Sequence, residues 1–277
     1  MATKAPHFVI KPSLLAILLA FPAQQALAAN CNWTPASGNW ATAADWSCGI
    51  VPGAADNATI AVGKTVTVNA AQSILNLNNA GSVNLDAFLL TLAGGGGTSN
   101  TGTLNVGAGA IPNNAALQVA GGHNISNAGG VINVSADSVI NQFGSTITGG
   151  TISTTGSGKL VAFNSGSNVL SGVTLNGTLD LASGTGIERV VNGLTLNGTI
   201  NIGNNSIFAP QGNQTIGGTG SINFVDAGGS NRLNVEAGNL TLSSGVTVRG
   251  GNGFIGQQSF VGGGATLTNQ GVISADV

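Results

Sequence analysis

The decapeptide Gly172-Val-Thr-Leu-Asn-Gly-Thr-Leu-Asp-Leu181 returns 21 positions later as Gly193-Leu-Thr-Leu-Asn-Gly-Thr-Ile-Asn-Ile202. Apolar and polar residues alternate within each half of this unit. Alternation with a period of two places Leu179 and Asp180 on opposite faces of a strand. The central Asn-Gly pair separates the halves with residues that tolerate positive φ. The unit is therefore predicted to be two short strands joined by a bend.

A five-residue core of this unit recurs along the chain: glycine, a small or branched residue, an aliphatic residue, Asn or Asp, and an apolar residue. Its clean copies begin at Gly81, Gly102, Gly130, Gly177, Gly198 and Gly220. The steps between neighbouring copies include 21, 28, 21 and 22 residues. Such a period is typical of solenoids, in which equivalent strands stack coil upon coil. The prediction is an all-β, single-stranded parallel β-helix with coils of roughly 20–28 residues.

An antiparallel alternative competes with this fold. Asn-Gly between alternating runs is also a strong β-hairpin signal, and a chain of hairpins would give a sandwich or barrel. The near-constant step favours the solenoid, because equivalent strands then lie about 4.8 Å above one another. No helix is expected in the mature chain, which lacks a 3.6-residue periodicity. The run Gly94–Gly97 is predicted to be a loop.

The composition limits the possible functions. Charged residues make up 6% of the chain, with seven basic and nine acidic side chains. Nucleic-acid binding is not expected, because no basic patch supplies its electrostatic attraction. Stacked like charges repel from coil to coil, whereas stacked amides hydrogen-bond. The Asn/Asp position of the repeat is therefore interpreted as a structural row. Its members are Asn84, Asn105, Asn133, Asp180, Asn201 and Asn223.

Residues 1–28 carry the features of a secretory signal peptide. A basic stretch from Lys4 to Lys11 precedes the apolar run Leu14–Phe21 and the A-x-A processing site Ala26–Ala28. The apolar run is too short to span a membrane, which takes about 20 residues. The chain is therefore predicted to be exported, to an extracellular or cell-surface location of a Gram-negative-type bacterium. No integral membrane segment is expected in the mature chain.

The two cysteines, Cys31 and Cys48, lie close together near the start of the mature chain. Export implies an oxidising compartment, so a disulfide between them is expected. Asn30 stands where a lipobox needs a small residue, and lipidation of Cys31 is therefore not expected. No metal site and no cofactor are predicted, since a single histidine, His123, follows the signal peptide.

All three tryptophans, Trp33, Trp40 and Trp46, fall in the segment 29–62, ahead of the β-helix repeat region 63–277. A solenoid must cover the core and the strand edges of its first coil. The segment is therefore predicted to be an N-terminal cap built from tryptophan and a disulfide. The alternative is a glycan platform, in which exposed indole faces stack on sugar rings.

The spacing of residues within this segment resembles that at the start of large bacterial exoproteins of the β-strand-repeat type. The residues that carry the resemblance are Gly38-Asn39-Trp40, Ala43, Trp46-Ser47, Gly49, Pro52, Asp56 and Ile60. These exoproteins include autotransporter-like and filamentous-haemagglutinin-like adhesins. The resemblance implies a right-handed β-helix, display outside the cell and a role in adhesion or in a surface layer. Because such proteins continue for many more coils, the chain is predicted to be the N-terminal piece of a larger exoprotein.

A carbohydrate-active β-helix, either a polysaccharide lyase or a hydrolase, is the enzymatic alternative, because glycoside cleavage needs paired carboxyl groups. The candidates are Asp180, Glu188 with its neighbour Arg189, Asp226 and Glu236. Asp180 and Glu188 could share one coil, and so could Asp226 and Glu236. All four acids are interpreted as solvated turn charges, because no further acids, histidines or bases surround them in the sequence. His123, the available base for a nucleophile, is interpreted as a turn residue.

Taken together, the sequence predicts a structural or adhesive surface module and not an enzyme. Its expected partners are cell-surface or glycan ligands. A carbohydrate-active β-helix and a tryptophan-mediated carbohydrate-binding module stay open as alternatives. The oligomeric state is not determined by the sequence.

Overall fold

The computed structural model describes residues 27–109, 114–226 and 228–276. The predicted signal peptide lies outside the described residues, apart from its last two positions. Within these ranges the chain forms a parallel β-solenoid of about ten turns, with coils of about 22 residues. The predicted fold class is confirmed, and the antiparallel hairpin alternative is wrong. The right-handed sense of the coil stays a prediction.

The regular elements of the described residues are one 3₁₀ helix, Ala43–Asp45, and 28 strands. In chain order the strands are β1 Asn30–Asn32, β2 Ser37–Asn39, β3 Asn57–Ile60, β4 Thr65–Val68, β5 Gln72–Asn79, β6 Ser82–Leu85, β7 Leu89–Asn100, β8 Thr103–Val106, β9 Ala116–Val119, β10 Asn124–Ser126, β11 Val131–Val134, β12 Val139–Gln142, β13 Thr146–Thr148, β14 Thr151–Thr154, β15 Lys159–Ala162, β16 Val169–Asn176, β17 Thr178–Asp180, β18 Ile187–Leu196, β19 Thr199–Ile202, β20 Ile207–Pro210, β21 Gln214–Gly218, β22 Ser221–Phe224, β23 Arg232–Leu233, β24 Gly238–Leu242, β25 Thr247–Gly250, β26 Phe254–Ile255, β27 Ala265–Asn269 and β28 Val272–Ala275.

Strand pairing arranges the coils in three columns, and every pairing between these strands is parallel. Column one contains β1, β3, β5, β7, β10, β13, β16, β18, β20, β23 and β26. Column two contains β2, β4, β6, β8, β11, β14, β16, β18, β21, β24 and β27. Column three contains β5, β7, β9, β12, β15, β17, β19, β22, β25 and β28. The long strands β5, β7, β16 and β18 each pass through two columns.

The core is a set of stacked aliphatic rows. In column three the inward row is Leu90, Leu117, Ile140, Leu160, Leu179, Ile200 and Ile222, all fully buried. Burying one such side chain contributes about 1.5–3 kcal/mol. The repeated decapeptides stack as the sequence predicts, with Leu175 beside Leu196 and Leu179 beside Ile200.

The predicted Asn/Asp row is divided between two columns. Asn84, Asn105 and Asn133 stack in column two. The other three members, Asp180, Asn201 and Asn223, stack in column three. The single row inferred from the sequence is therefore corrected to two rows of the same chemistry. The five-residue unit encodes a corner followed by a strand, and this local structure serves more than one face of the coil.

The first glycine of the unit marks a close approach between coils. A Cβ atom on Gly198 would lie 2.0 Å from the carbonyl oxygen of Gly177, and one on Gly102 would lie 2.1 Å from that of Gly81. No side chain fits at these distances. The glycines therefore let the corners of consecutive coils come near enough for their strands to pair.

The run Gly94–Gly97 is part of β7 and not the loop that the sequence predicted. The pairing of β5 with β7 shifts register between Ile74 and Asn76, so the extra glycines bulge where the strand turns from column three to column one. Here too the backbones are close, since a Cβ on Gly96 would lie 1.8 Å from the Leu75 carbonyl oxygen.

We expect Gly198→Ala to lower the free energy of unfolding by about 1–3 kcal/mol, because the added methyl group must push two coils apart. Urea denaturation followed by circular dichroism measures the effect. Gly217→Ala is the matched control, because its Cβ would lie 3.8 Å from the Ser243 hydroxyl oxygen, and a change within about 0.5 kcal/mol is expected. Equal losses in the two variants would contradict the close-approach explanation.

Candidate functional site

The three tryptophans form a closed cluster in the first coil. Trp33, Trp40 and Trp46 are 2%, 0% and 2% exposed. The Trp46 ring centroid lies 5.1 Å from that of Trp33 and 4.8 Å from that of Trp40, both edge to face, an arrangement that aromatic quadrupoles favour. A glycan platform needs exposed ring faces, so that hypothesis is corrected. The indoles plug the first coil.

The other residues of the N-terminal motif hold this cluster in place. The Asp56 carboxylate accepts the backbone N–H groups of Ala29 and Gly53, each at 2.8 Å. A Cβ on Gly38 would lie 3.1 Å from the Trp33 ring, so a small residue is needed there. The predicted disulfide joins Cys31 to Cys48. The spacing of the motif is thus explained by packing within the cap.

The candidate acids are not solvated turn charges. Asp180 lies on the outer side of column three, where its carboxylate accepts a hydrogen bond from Lys159 Nζ at 2.7 Å and one from the Ser183 hydroxyl at 2.6 Å. Glu188 lies in column one with its side chain in the core. Asp226 accepts hydrogen bonds from Asn204 and Asn231. The interpretation as solvated charges is corrected, because these acids have partners or are buried.

Glu188 is an ionisable group in an apolar core. It is fully buried and stacks beside Phe208 of the next coil. The backbone of Leu170 weakly favours its charged form, but neither carboxyl oxygen makes a hydrogen bond of good geometry with a described residue. Burial raises the pKa of Glu188 well above its ordinary value, because desolvation penalises the charged form. The next residue, Arg189, faces outward and donates to Gly166 and Gln211.

Glu236 is held by backbone amides. Its carboxylate accepts the N–H groups of Ser259 at 2.6 Å, Phe260 at 3.1 Å and Val261 at 2.8 Å, and the Asn234 side-chain amide at 2.7 Å. Burial opposes ionisation, but these donors outweigh it and lower the pKa of Glu236. The carboxylate therefore fastens the loop that contains residues 259–261 to the solenoid, and the same loop packs Phe260 against Arg189.

His123 is buried between strands and is not an exposed turn base. Its Nδ1 lies 2.7 Å from the Ala93 carbonyl oxygen, which can only accept, so Nδ1 carries the proton. Its Nε2 then accepts from the Thr98 hydroxyl at 2.9 Å. Burial lowers the pKa of His123, against the opposing effect of the bond to Ala93. Both ring nitrogens are occupied, and the pair ties β7 to the turn before β10.

A polar groove lies on the outer side of column one and was missed by the sequence analysis. It encloses about 640 Å³. Its walls are two rows of side chains that stand on alternate positions of the same strands. The groove is lined by Asn30, Asn57, Thr59, Asn76, Asn78, Gly97, Thr98, Ser99, Asn124, Ile125, Ser126 and Thr148. None of these residues is charged, so the polar side-chain groups of the groove are amides and hydroxyls.

A sequence signal for this groove exists in the form of polar–buried–polar triplets. Examples are Asn57-Ala-Thr59, Asn76-Leu-Asn78 and Asn124-Ile-Ser126. Their spacing is irregular, and none contains the glycine-led unit. A search based on that unit therefore passes over them.

Two further features concern the described part of the chain. It contains no group of three or more His, Cys, Asp or Glu side chains positioned to hold a metal ion. Across the same residues, no helix combines the length and the apolar character needed to cross a membrane.

Comparison of the chain with protein-family models, with curated proteins and with solved structures gave no match. The solenoid fold agrees with the resemblance to β-strand-repeat exoproteins. The relationship to autotransporter-like or filamentous-haemagglutinin-like adhesins stays a prediction.

Trp40→Ala is expected to lower the free energy of unfolding by about 3–5 kcal/mol, because it removes a fully buried indole from the plug. Chemical denaturation measures the loss, and Trp40→Phe, which keeps an aromatic ring, should lose less. An alanine variant as stable as the parent would contradict the plug.

The raised pKa of Glu188 predicts that stability falls at higher pH. Above the ordinary carboxyl pKa the unfolded chain releases this proton while the folded chain keeps it, so stability declines as the pH rises towards and through the raised pKa. Glu188→Gln should flatten this decline, and Glu188→Met should add about 1–3 kcal/mol by removing an unsatisfied polar group. Denaturation midpoints between about pH 2 and 9, a range that extends to both sides of the ordinary carboxyl pKa, measure the profile.

Glu236→Gln provides the contrast, because the pKa of Glu236 is lowered and its stabilisation is lost as the pH falls through that pKa. It should change the acid side of the profile and leave the decline at higher pH in place. A Glu188→Gln profile identical to that of the parent would contradict the assignment.

Proposed function

We propose that this chain works outside the cell as a structural and adhesive β-solenoid module, the N-terminal piece of a larger surface exoprotein. The observation that carries the proposal is the pair of polar walls along column one, which present amides and hydroxyls from successive coils over one open groove. Six strands of the column, β1 to β13, contribute to the groove, so it extends over about 24 Å at the coil spacing. An extended ligand such as a glycan chain would meet it at several coils at once, as multivalent binding requires.

Export is supported by two independent features. The N-terminal 28 residues have the basic, apolar and small-residue order of a secretory signal. The disulfide between Cys31 and Cys48 lies beside the tryptophan cluster, and such bonds persist in oxidising compartments. A chain folded in the cytosol would lack this bond, which is worth about 3 kcal/mol for a loop of this size.

A structural role is favoured over catalysis by the state of the candidate acids. Asp180, Asp226 and Glu236 are each engaged by amides, hydroxyls or a lysine of the chain itself. Glu188 faces the core, away from any substrate.

The test is expression of the full chain in a Gram-negative host. We expect an exported product that begins near Ala29 and has both cysteines oxidised, and thiol labelling with mass spectrometry measures both properties. Deleting residues 1–28 is the control and should leave the thiols reduced inside the cell. Beads coated with the exported chain should adhere to cell surfaces or polysaccharide films, and beads coated with the unfolded chain should not. An unprocessed product retained in the cytosol would contradict export, and a folded chain that adheres to none of these surfaces would contradict adhesion.

A further inference from the structure

The asparagine row along column one is interrupted at one position. Asn57 donates its side-chain amide to Asn30 Oδ1, and Asn76 donates to Asn57 Oδ1, each at 2.6 Å. The next rung is Gly97, whose backbone N–H donates to Asn76 Oδ1 at 2.8 Å. Asn124 follows one coil further. The row therefore has a missing side chain between Asn76 and Asn124, a gap of two coil spacings or about 10 Å.

The glycine at this gap is not required by the backbone. In the same run, Gly94 and Gly96 would place a Cβ 2.8 Å and 1.8 Å from carbonyl oxygens, and Gly95 has a φ of +77°. Gly97 has neither constraint, because its Cβ would meet nothing closer than 3.7 Å. Glycine in a strand costs conformational entropy. A side chain would fit at position 97, and its absence leaves the gap open.

The sides of the gap carry polar side chains that make no hydrogen bonds with the described residues. The Asn124 side-chain amide makes no hydrogen bond with any described residue and is exposed. Ser99 and Ser126 stand beside the gap in the second row. Beneath it, the buried pair of Thr98 and His123 fixes the two strands that carry Gly97 and Asn124. The free groups are thus held on a rigid support.

We propose that the gap at Gly97 is a binding subsite for an uncharged sugar ring of a glycan. Amides and hydroxyls both donate and accept hydrogen bonds, as sugar hydroxyls do. No lysine or arginine lines the groove to pair with a phosphate or a uronate. No aromatic ring lines it either, so binding at a single gap is weak, near the millimolar range typical of about −4 kcal/mol. The proposal rests on the proposed function, because that function places the chain where it meets glycans. The chemistry of the ligand is inferred from the geometry of the gap.

The experiment is an NMR titration of the full exported chain with neutral glucan, mannan and galactan tetrasaccharides, and with tetragalacturonate as the charged comparison. At least one neutral sugar should shift the amide signals of Gly97, Ser99 and Asn124, and tetragalacturonate should bind at least about tenfold more weakly, a difference of about 1.4 kcal/mol. Gly97→Asn restores the missing rung and should abolish these shifts while keeping the stability of the parent.

Two variants keep the result interpretable. Gly217→Asn adds the same side chain at a spacious strand glycine of column two, where a Cβ would lie 3.8 Å from its nearest neighbour, and it should bind like the parent. Asn124→Ala removes a side chain that makes no hydrogen bond with the described residues, and it should weaken binding even if Gly97→Asn fails to fold.

Unchanged shifts in folded Gly97→Asn and Asn124→Ala, equal losses in Gly217→Asn, preference for tetragalacturonate, or no shift with any neutral sugar would each overturn the subsite. If folded Gly97→Asn loses the shifts but still adheres in the bead assay, the subsite stands and adhesion uses other surfaces as well. If the parent binds sugars at the gap but its beads adhere to nothing, the adhesive function fails and the subsite stands.

Discussion

The hydrogen bonds between the backbones of successive coils are the constraint on which the rest of the molecule depends. Each strand pairs in parallel with its equivalents in the neighbouring coils, so each paired strand position stands about 4.8 Å from a counterpart. Inward positions must then form continuous aliphatic rows, and outward positions must tolerate a like neighbour, which explains why charge is scarce. The corners must also come together, and Gly198 lies so near the Gly177 carbonyl oxygen that no Cβ fits. The glycine at the start of each repeat unit meets this requirement, because it has no Cβ.

The part of the fold that the sequence predicts is the part that repeats. The decapeptides beginning at Gly172 and Gly193 fix the step, and their strands pair in the expected register. The sequence does not say which column a unit joins. Val, Ile and Leu fill the inward positions of all three columns equally well, so a unit beginning at Gly130 and one beginning at Gly177 look alike while serving different faces. Column identity depends on the lengths of the intervening turns, which the repeat does not encode.

Some features of the candidate sites can be predicted from neighbouring residues in the sequence, and others depend on residues far along the chain. The burial of Glu188 can be predicted from the alternation of inward and outward positions along β18, since Glu188 lies on the same face as the buried Val190. The amides that hold Glu236 come from residues more than twenty positions later, and no local pattern announces them. Tryptophan suits both a plug and a platform, because its large apolar ring and single donor serve either environment. The choice between them is settled by packing around Trp40, which the spacing alone leaves open.

A regular ladder of side-chain amides is polar, but it offers a ligand few free hydrogen-bond donors and acceptors. Where each asparagine donates to the one before it, as Asn133 does to Asn105 and Asn105 to Asn84, donors and acceptors are used within the protein, and a ligand would have to break a bond for each one it makes. The proposed sugar subsite is therefore placed where the ladder is interrupted. The gap at Gly97 leaves the Asn124 amide free without disturbing the backbone pairing beneath it. In this solenoid the repeat supplies the stacked strands, and the proposed recognition depends on a departure from the repeat.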